Sequence, residues 1–93
     1  ISEFQTLFIE PAKILPVIIG EFGPASGYMS INECEELIIQ AESLKIPYLA
    51  WTFHMRCPPN LLVDYSNEGC GTNMALEPTP WGELLIEYLS QSD

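Results

Sequence analysis

Apolar residues follow two patterns along the chain, helical spacing and continuous runs, and the changes from one to the other mark the first elements. Residues 1–10 carry apolar side chains at helical spacing, and Pro11 is expected to end this first helix. The run Pro16 to Gly23 is largely apolar and rich in β-branched residues, which is typical of a strand buried on both faces of a parallel sheet. Gly and Pro after it indicate a turn.

A second helix and a second strand follow this turn. Ser30 and Glu33 have the spacing of a capping box, and the helix they open is expected to end before Pro47. Its apolar stripe consists of Ile31, Cys34, Leu37, Ile38, Ala41 and Leu44, with Lys45 at the negative end of the helix dipole. Residues 47–53 are predicted to form the second strand. Its separation from the first strand matches the roughly 30 residues of one βαβ unit, so the two strands are predicted to be parallel.

The last part of the chain combines a long loop with a third helix. His54 to Pro78 exceeds the roughly 12–15 residues of most structureless connections, and loops of that length are usually functional. Thr79 as N-cap and Pro80 at the first helical position start the helix. Its predicted buried face is Trp81, Leu84, Leu85, Tyr88 and Leu89.

These elements predict an α/β fold that is incomplete by itself. Two parallel strands leave unpaired edges and an uncovered face. Both strands gain neighbours if the chain supplies the C-terminal quarter of a (β/α)8 TIM barrel, namely the tail of helix 6, strand 7, helix 7, strand 8 and helix 8. We therefore expect residues 1–93 to be the C-terminal part of one larger domain.

Composition and charge exclude several classes of partner. The chain has 93 residues, enough for one domain at most, and its 47% hydrophobic content argues against disorder. Thirteen acidic residues against three basic ones, Lys13, Lys45 and Arg56, would repel nucleic acid and anionic membranes. No apolar run approaches the roughly 18–20 residues of a membrane span, and the first residues lack the features of a signal peptide.

Cysteines and possible metal ligands point to no cofactor. Cys57 and Cys70 lie in the long loop and could form a disulfide, whereas Cys34 is expected to be a small buried residue. His54, Cys57 and Cys70 supply three zinc ligands where a structural site needs four. The stretch from Asp64 imitates a calcium-binding loop, but its twelfth position is Ala75 instead of Glu.

Glu21 is the most informative position, because it follows an apolar strand directly. Active sites of TIM barrels lie at the carboxyl ends of the strands. The spacing alone fits an exposed turn carboxylate equally well. The run Pro16 to Gly23, containing Gly20-Glu21-Phe22-Gly23, resembles the strand-seven segment of glycoside hydrolase family 5, the cellulase family. Ala50 to Phe53 looks like strand eight of that family, and Pro80-Trp81-Gly82 is similar to the start of its final helix.

The resemblance implies roles for individual residues. Glu21 corresponds to the nucleophile of a retaining mechanism, and Trp51 to the aromatic platform for a sugar ring, with core packing as the alternative for Trp51. His54, Arg56 and Asn60 would lie at the catalytic face, where each either binds sugar hydroxyls or supports the loop. This loop departs from the commoner family pattern.

The resemblance also implies what is missing. The family's acid/base residue lies in an Asn-Glu-Pro motif that does not occur here, and Glu10, which precedes a proline, lies at a helix end. We therefore expect the chain alone to be inactive. The implied function is part of a secreted retaining glycosidase acting on β-1,4-glucan, or alternatively β-mannan, with the rest of the barrel and a polysaccharide or oligosaccharide as partners. The alternative from another class is a non-catalytic α/β fragment that binds a partner chain.

Overall fold

The computed structural model of the chain describes residues 2–54, 56–64 and 76–91. It consists of two compact units, Ile1–Ala50 and Trp51–Asp93, and each is described by itself. Among the described residues, no helix has both the length and the apolar character needed to span a membrane.

The first helix, α1, passes through the proline that was predicted to end it. It comprises an α-helical start Ser2–Phe4, a π-helical turn Gln5–Ile9 and an α-helical end Glu10–Ala12. The Glu10 N–H donates to the carbonyl oxygen of Gln5, five residues back. A proline lacks the N–H group and crowds the carbonyl of the preceding turn, and a wider turn relieves that crowding. The predicted end at Pro11 is therefore wrong by one residue.

The two strands pair in parallel, as predicted, but they are shorter than the apolar runs that contain them. Strand β1 is Ile19–Phe22 and strand β2 is Tyr48–Ala50. Pro47 has no N–H to donate to the ladder, but its carbonyl accepts from the Ile19 N–H at 2.9 Å, so the pairing begins at these two residues. Ile18 is 66% exposed and Leu49 is 60% exposed, as expected for two strands that leave one face uncovered, and burial on both faces stays a prediction for the complete barrel.

Helix α2, Ile31–Leu44, begins with the predicted capping box. The Glu33 N–H donates to Ser30 Oγ at 3.1 Å, and the Ser30 N–H donates to Glu33 Oε1 at 3.0 Å. Lys45 ends the helix in the left-handed conformation, with φ 58°. The middle of the apolar stripe is buried (Cys34, Leu37, Ile38 and Ala41), whereas its two ends, Ile31 and Leu44, are exposed.

Helix α3, Pro80–Gln91, starts at the predicted cap. Thr79 Oγ1 accepts from the Gly82 N–H at 3.1 Å, and the Thr79 carbonyl accepts from the Glu83 N–H at 2.8 Å. The predicted buried face is buried only in its first turn, where Trp81 is 2% exposed. Leu84, Leu85 and Tyr88 are partly buried, and Leu89 at 54% exposed contradicts the prediction, because periodicity identifies an apolar face but not how far along the helix it is packed.

The long segment before α3 is held together at its base. Leu62 and Pro78 form an antiparallel bridge, and the Val63 N–H donates to the Glu77 carbonyl at 2.8 Å. Leu61 and Leu62 are buried, as is Trp81. The bridge therefore joins the two ends of the segment, and residues 65–75 between them lie outside the described residues.

Candidate active site

Glu21 lies in an irregular step of β1. Ile19 pairs with Tyr48 and Phe22 pairs with Ala50, so three steps along β1 match two steps along β2. Gly20 and Glu21 therefore stand opposite the single residue Leu49, which is the arrangement of a β-bulge. Such bulges redirect side chains and occur often beside active sites.

The two neighbouring residues Glu21 and Phe22 differ in burial. Phe22 is buried, and its ring meets the ring of Tyr48 edge-on with centroids 5.8 Å apart. The Tyr48 hydroxyl donates to Glu42 Oε1 in α2 at 2.7 Å, so this face of the sheet is directed toward α2. Glu21, like Leu49, is exposed. Glu21 is thus an exposed carboxylate at the bulge, one residue before the carboxyl end of β1.

A groove of about 460 Å³ runs beside β1 within the first unit. Its floor includes the buried rings of Phe4, Phe8 and Phe22. Glu21 lines this groove together with Glu3, Glu33 and Tyr28, and no Lys or Arg is among the described residues that line it. Its volume falls within the roughly 300–1,000 Å³ that is usual for small-molecule sites.

Trp51 directly follows β2 in the chain and is fixed by hydrogen bonds at both ends. Its indole N–H donates to the Cys57 carbonyl at 3.2 Å, and its own carbonyl accepts from the Trp81 indole N–H at 2.8 Å. The side chain remains 40% exposed. Trp51 is therefore held in place with much of its ring on the surface, and β2 ends at Ala50, before the predicted limit of Phe53.

The three polar residues of the loop have contacts that shape the loop itself. His54 Nδ1 accepts from the Arg56 N–H at 2.8 Å, which leaves Nε2 as the protonated nitrogen of the neutral ring. Arg56 Nε forms an ion pair with Asp64 at 3.3 Å, with both side chains about half exposed. The side-chain oxygen of Asn60 is shielded from solvent.

The backbone of the loop is tied to both neighbouring segments. The Asn60 carbonyl accepts from Thr79 Oγ1 at 2.7 Å, and the Leu61 N–H donates to the Thr52 carbonyl at 2.9 Å. The Thr52 N–H donates to the Pro59 carbonyl at 3.0 Å. These contacts fix the backbone of the loop, and the side chains of His54 and Arg56 keep exposed surface.

The cysteines and the calcium-like stretch fall partly outside the described residues. Cys57 is exposed with a free thiol, and Cys70, the other half of the predicted disulfide, is not among the described residues. Of the stretch from Asp64 to Ala75, only Asp64 is described, and its carboxylate is paired with Arg56.

Comparison of the chain with protein-family models, with curated proteins and with solved structures finds no match. The residues themselves therefore carry the assignment of the site. The sequence predicted Glu21 and Trp51 near strand ends but did not predict the bulge or the presence of Tyr28 along the groove. The signal for Tyr28 was present, since an aromatic residue directly after Gly27 occupies a turn that follows the strand bearing Glu21.

Proposed function

We propose that this chain is part of a retaining glycoside hydrolase that cleaves a β-1,4-linked glucan, with Glu21 as the nucleophile. One observation carries the proposal: an exposed carboxylate stands at a bulge near the carboxyl end of a parallel strand. The resemblance of residues 16–23 to strand seven of glycoside hydrolase family 5 supports the same role.

In this mechanism the carboxylate oxygen of Glu21 bonds to the anomeric carbon as the glycosidic C–O bond breaks. The departing oxygen takes a proton from an acid/base carboxyl group supplied by the remainder of the barrel, about 5–5.5 Å from Glu21. Water then attacks the anomeric carbon, passes its proton to that second carboxylate and releases Glu21. The chain by itself supplies only the first carboxylate, so it is expected to be inactive alone.

The remaining residues bind substrate in this proposal. Trp51 offers an anchored, partly exposed indole face against which the C–H bonds of a sugar ring pack. His54 Nε2, the guanidinium group of Arg56 and the side-chain amide of Asn60 are donors for sugar hydroxyls, with support of the loop as the alternative role for each. The proposed enzyme is secreted and needs no cofactor. A β-mannanase of the same family is the alternative substrate assignment, because no described residue distinguishes the two sugars.

A second candidate function is favoured by the amount of exposed apolar surface. Ile14, Leu15, Ile18 and Leu49 are 60–82% exposed in the first unit. A non-catalytic fragment that binds a partner chain would bury them, but so would the remaining strands and helices of a barrel. The glycosidase proposal is preferred, because it also accounts for the position of Glu21.

Hydrolysis of hydroxyethyl-cellulose and of mannan by the complete protein tests the proposal. Glu21→Gln keeps the size of the side chain, removes the nucleophile and should lower kcat by roughly 10³-fold or more. The matched control is Glu10→Gln. In the wild type the Glu10 carboxylate pairs with Lys13 on α1 at 2.9 Å, and the variant should hydrolyse the polymers at the wild-type rate. Full activity of Glu21→Gln would refute the assignment, and the preferred polymer identifies the substrate.

A further inference from the structure

Tyr28 is the most exposed of the large apolar and aromatic side chains among the described residues, at 89%. A single exposed aromatic ring needs no special explanation, since such rings are normal on protein surfaces. Three further features distinguish this one: the turn that carries it, its place relative to β1, and the groove that it lines.

The turn is held by backbone hydrogen bonds. The Ala25 N–H donates to the Met29 carbonyl at 2.9 Å, and the N–H groups of Tyr28 and Met29 donate to the Ala25 carbonyl at 2.9 and 3.0 Å. Gly27 adopts φ 83°, a conformation that favours glycine. The ring is therefore presented by a defined backbone and needs little further ordering to bind a ligand.

The turn follows the carboxyl end of β1. Tyr28 is therefore at the end of the strand at which the proposed enzyme has its active site. Tyr28 and Glu21 also line the same groove. The charged residues described along it, Glu3, Glu21 and Glu33, are all acidic, which disfavours a sugar that carries carboxylates. A neutral hexose unit fits this combination, because its C–H face packs on an aromatic ring and its hydroxyl groups hydrogen-bond to carboxylates.

We propose that Tyr28 is a second sugar platform, which binds a neutral hexose unit of the polysaccharide next to the unit attacked by Glu21. This inference rests on the proposed function and adds a residue that determines affinity for the polymer. Tyr28 binds substrate through its ring face, while the bond-breaking step stays with Glu21.

The test separates binding from chemistry. Affinity of the complete protein for cellohexaose and mannohexaose is measured by titration calorimetry in the inactive Glu21→Gln background. Adding Tyr28→Ala should weaken binding roughly two- to twelvefold. Tyr28→Phe keeps the ring and should retain the affinity, and Glu10→Gln, a surface change on α1 outside the groove lining, serves as the control. With Glu21 intact, Tyr28→Ala should raise KM while kcat is kept.

The outcomes distinguish the two proposals. If Glu21→Gln abolishes hydrolysis but Tyr28→Ala changes neither affinity nor KM, the second platform is wrong and the proposed function stands. Equal losses in Tyr28→Ala and Tyr28→Phe would also overturn it, because a stacking role requires only the ring. If the Glu21→Gln protein binds neither oligosaccharide and the wild type hydrolyses neither polymer, both proposals fail.

Discussion

Replacing Gly82 with Ala should destabilise the unit Trp51–Asp93, although Gly→Ala within a helix normally stabilises by about 1 kcal/mol. A Cβ at this position would overlap the carbonyl oxygen of Leu61 and lie 3.0 Å from the Cβ of Pro78. Leu61 is held on both sides, because its N–H donates to Thr52 and its carbonyl accepts from the Thr79 N–H. The obstacle is backbone, so it cannot rotate away.

The expected loss follows from two opposing effects. Overpacking costs typically about 1–3 kcal/mol, and a backbone overlap belongs at the upper end. Subtracting the gain of about 1 kcal/mol in helix propensity leaves a net loss of about 2 kcal/mol. For a chain of this size, that corresponds to a decrease in Tm of roughly 8–16 °C.

Urea unfolding followed by tryptophan fluorescence measures this loss, because both tryptophans, Trp51 and Trp81, belong to that unit. Gly20→Ala is the control, because a Cβ at Gly20 meets nothing within 4 Å. Urea unfolding of this variant, followed by far-UV circular dichroism, should show no loss of stability. A Gly82→Ala protein as stable as the wild type would refute the close approach of α3 to Leu61.

Two further predictions concern titratable groups in α2. The backbone N–H of Ser30, and then its side chain, lower the pKa of Glu33 below its ordinary value of 4.5. Glu33 therefore contributes stability above about pH 4.5 that is lost as the pH falls through the lowered pKa. The difference in unfolding free energy between wild type and Glu33→Gln should shrink on acidification, and a constant difference from about pH 6 to pH 3 would contradict the capping geometry. Burial, and secondarily the charge of Glu33, raises the pKa of the Cys34 thiol to about 11, which leaves about one thiol in a thousand ionised at pH 8. Iodoacetamide should label Cys57 in the native protein and Cys34 only after unfolding, and peptide mass spectrometry that found equal native labelling would show that Cys34 is accessible.

The features that could be predicted from sequence are those whose cause lies within a few residues. The capping box of Ser30 and Glu33 and the start of α3 at Thr79 depend on side chains within one turn. The parallel pairing followed from the βαβ spacing. Each of these features could be predicted because its sequence pattern strongly favours a single structure.

Other features depend on segments distant in sequence. The bulge at Glu21 exists only because Leu49 occupies one place opposite two residues, and no pattern within β1 encodes that register. The predicted buried face of α3 was wrong toward its end, because periodicity identifies an apolar face but not what covers it. The role of Gly82 likewise requires knowing that Leu61 lies against the helix.

The most direct test of the central claim is the covalent bond to Glu21. The complete protein is incubated with an activated 2-deoxy-2-fluoro-β-glucoside or cellobioside, whose good leaving group needs no acid and whose fluorine slows release of the glycosyl-enzyme. Mass spectrometry of the digested protein should find the sugar on the peptide containing Glu21, and the Glu21→Gln variant should show none. Absence of an adduct from a wild-type enzyme that hydrolyses glucan, or an adduct on another carboxylate, would contradict the assignment of Glu21 as the nucleophile.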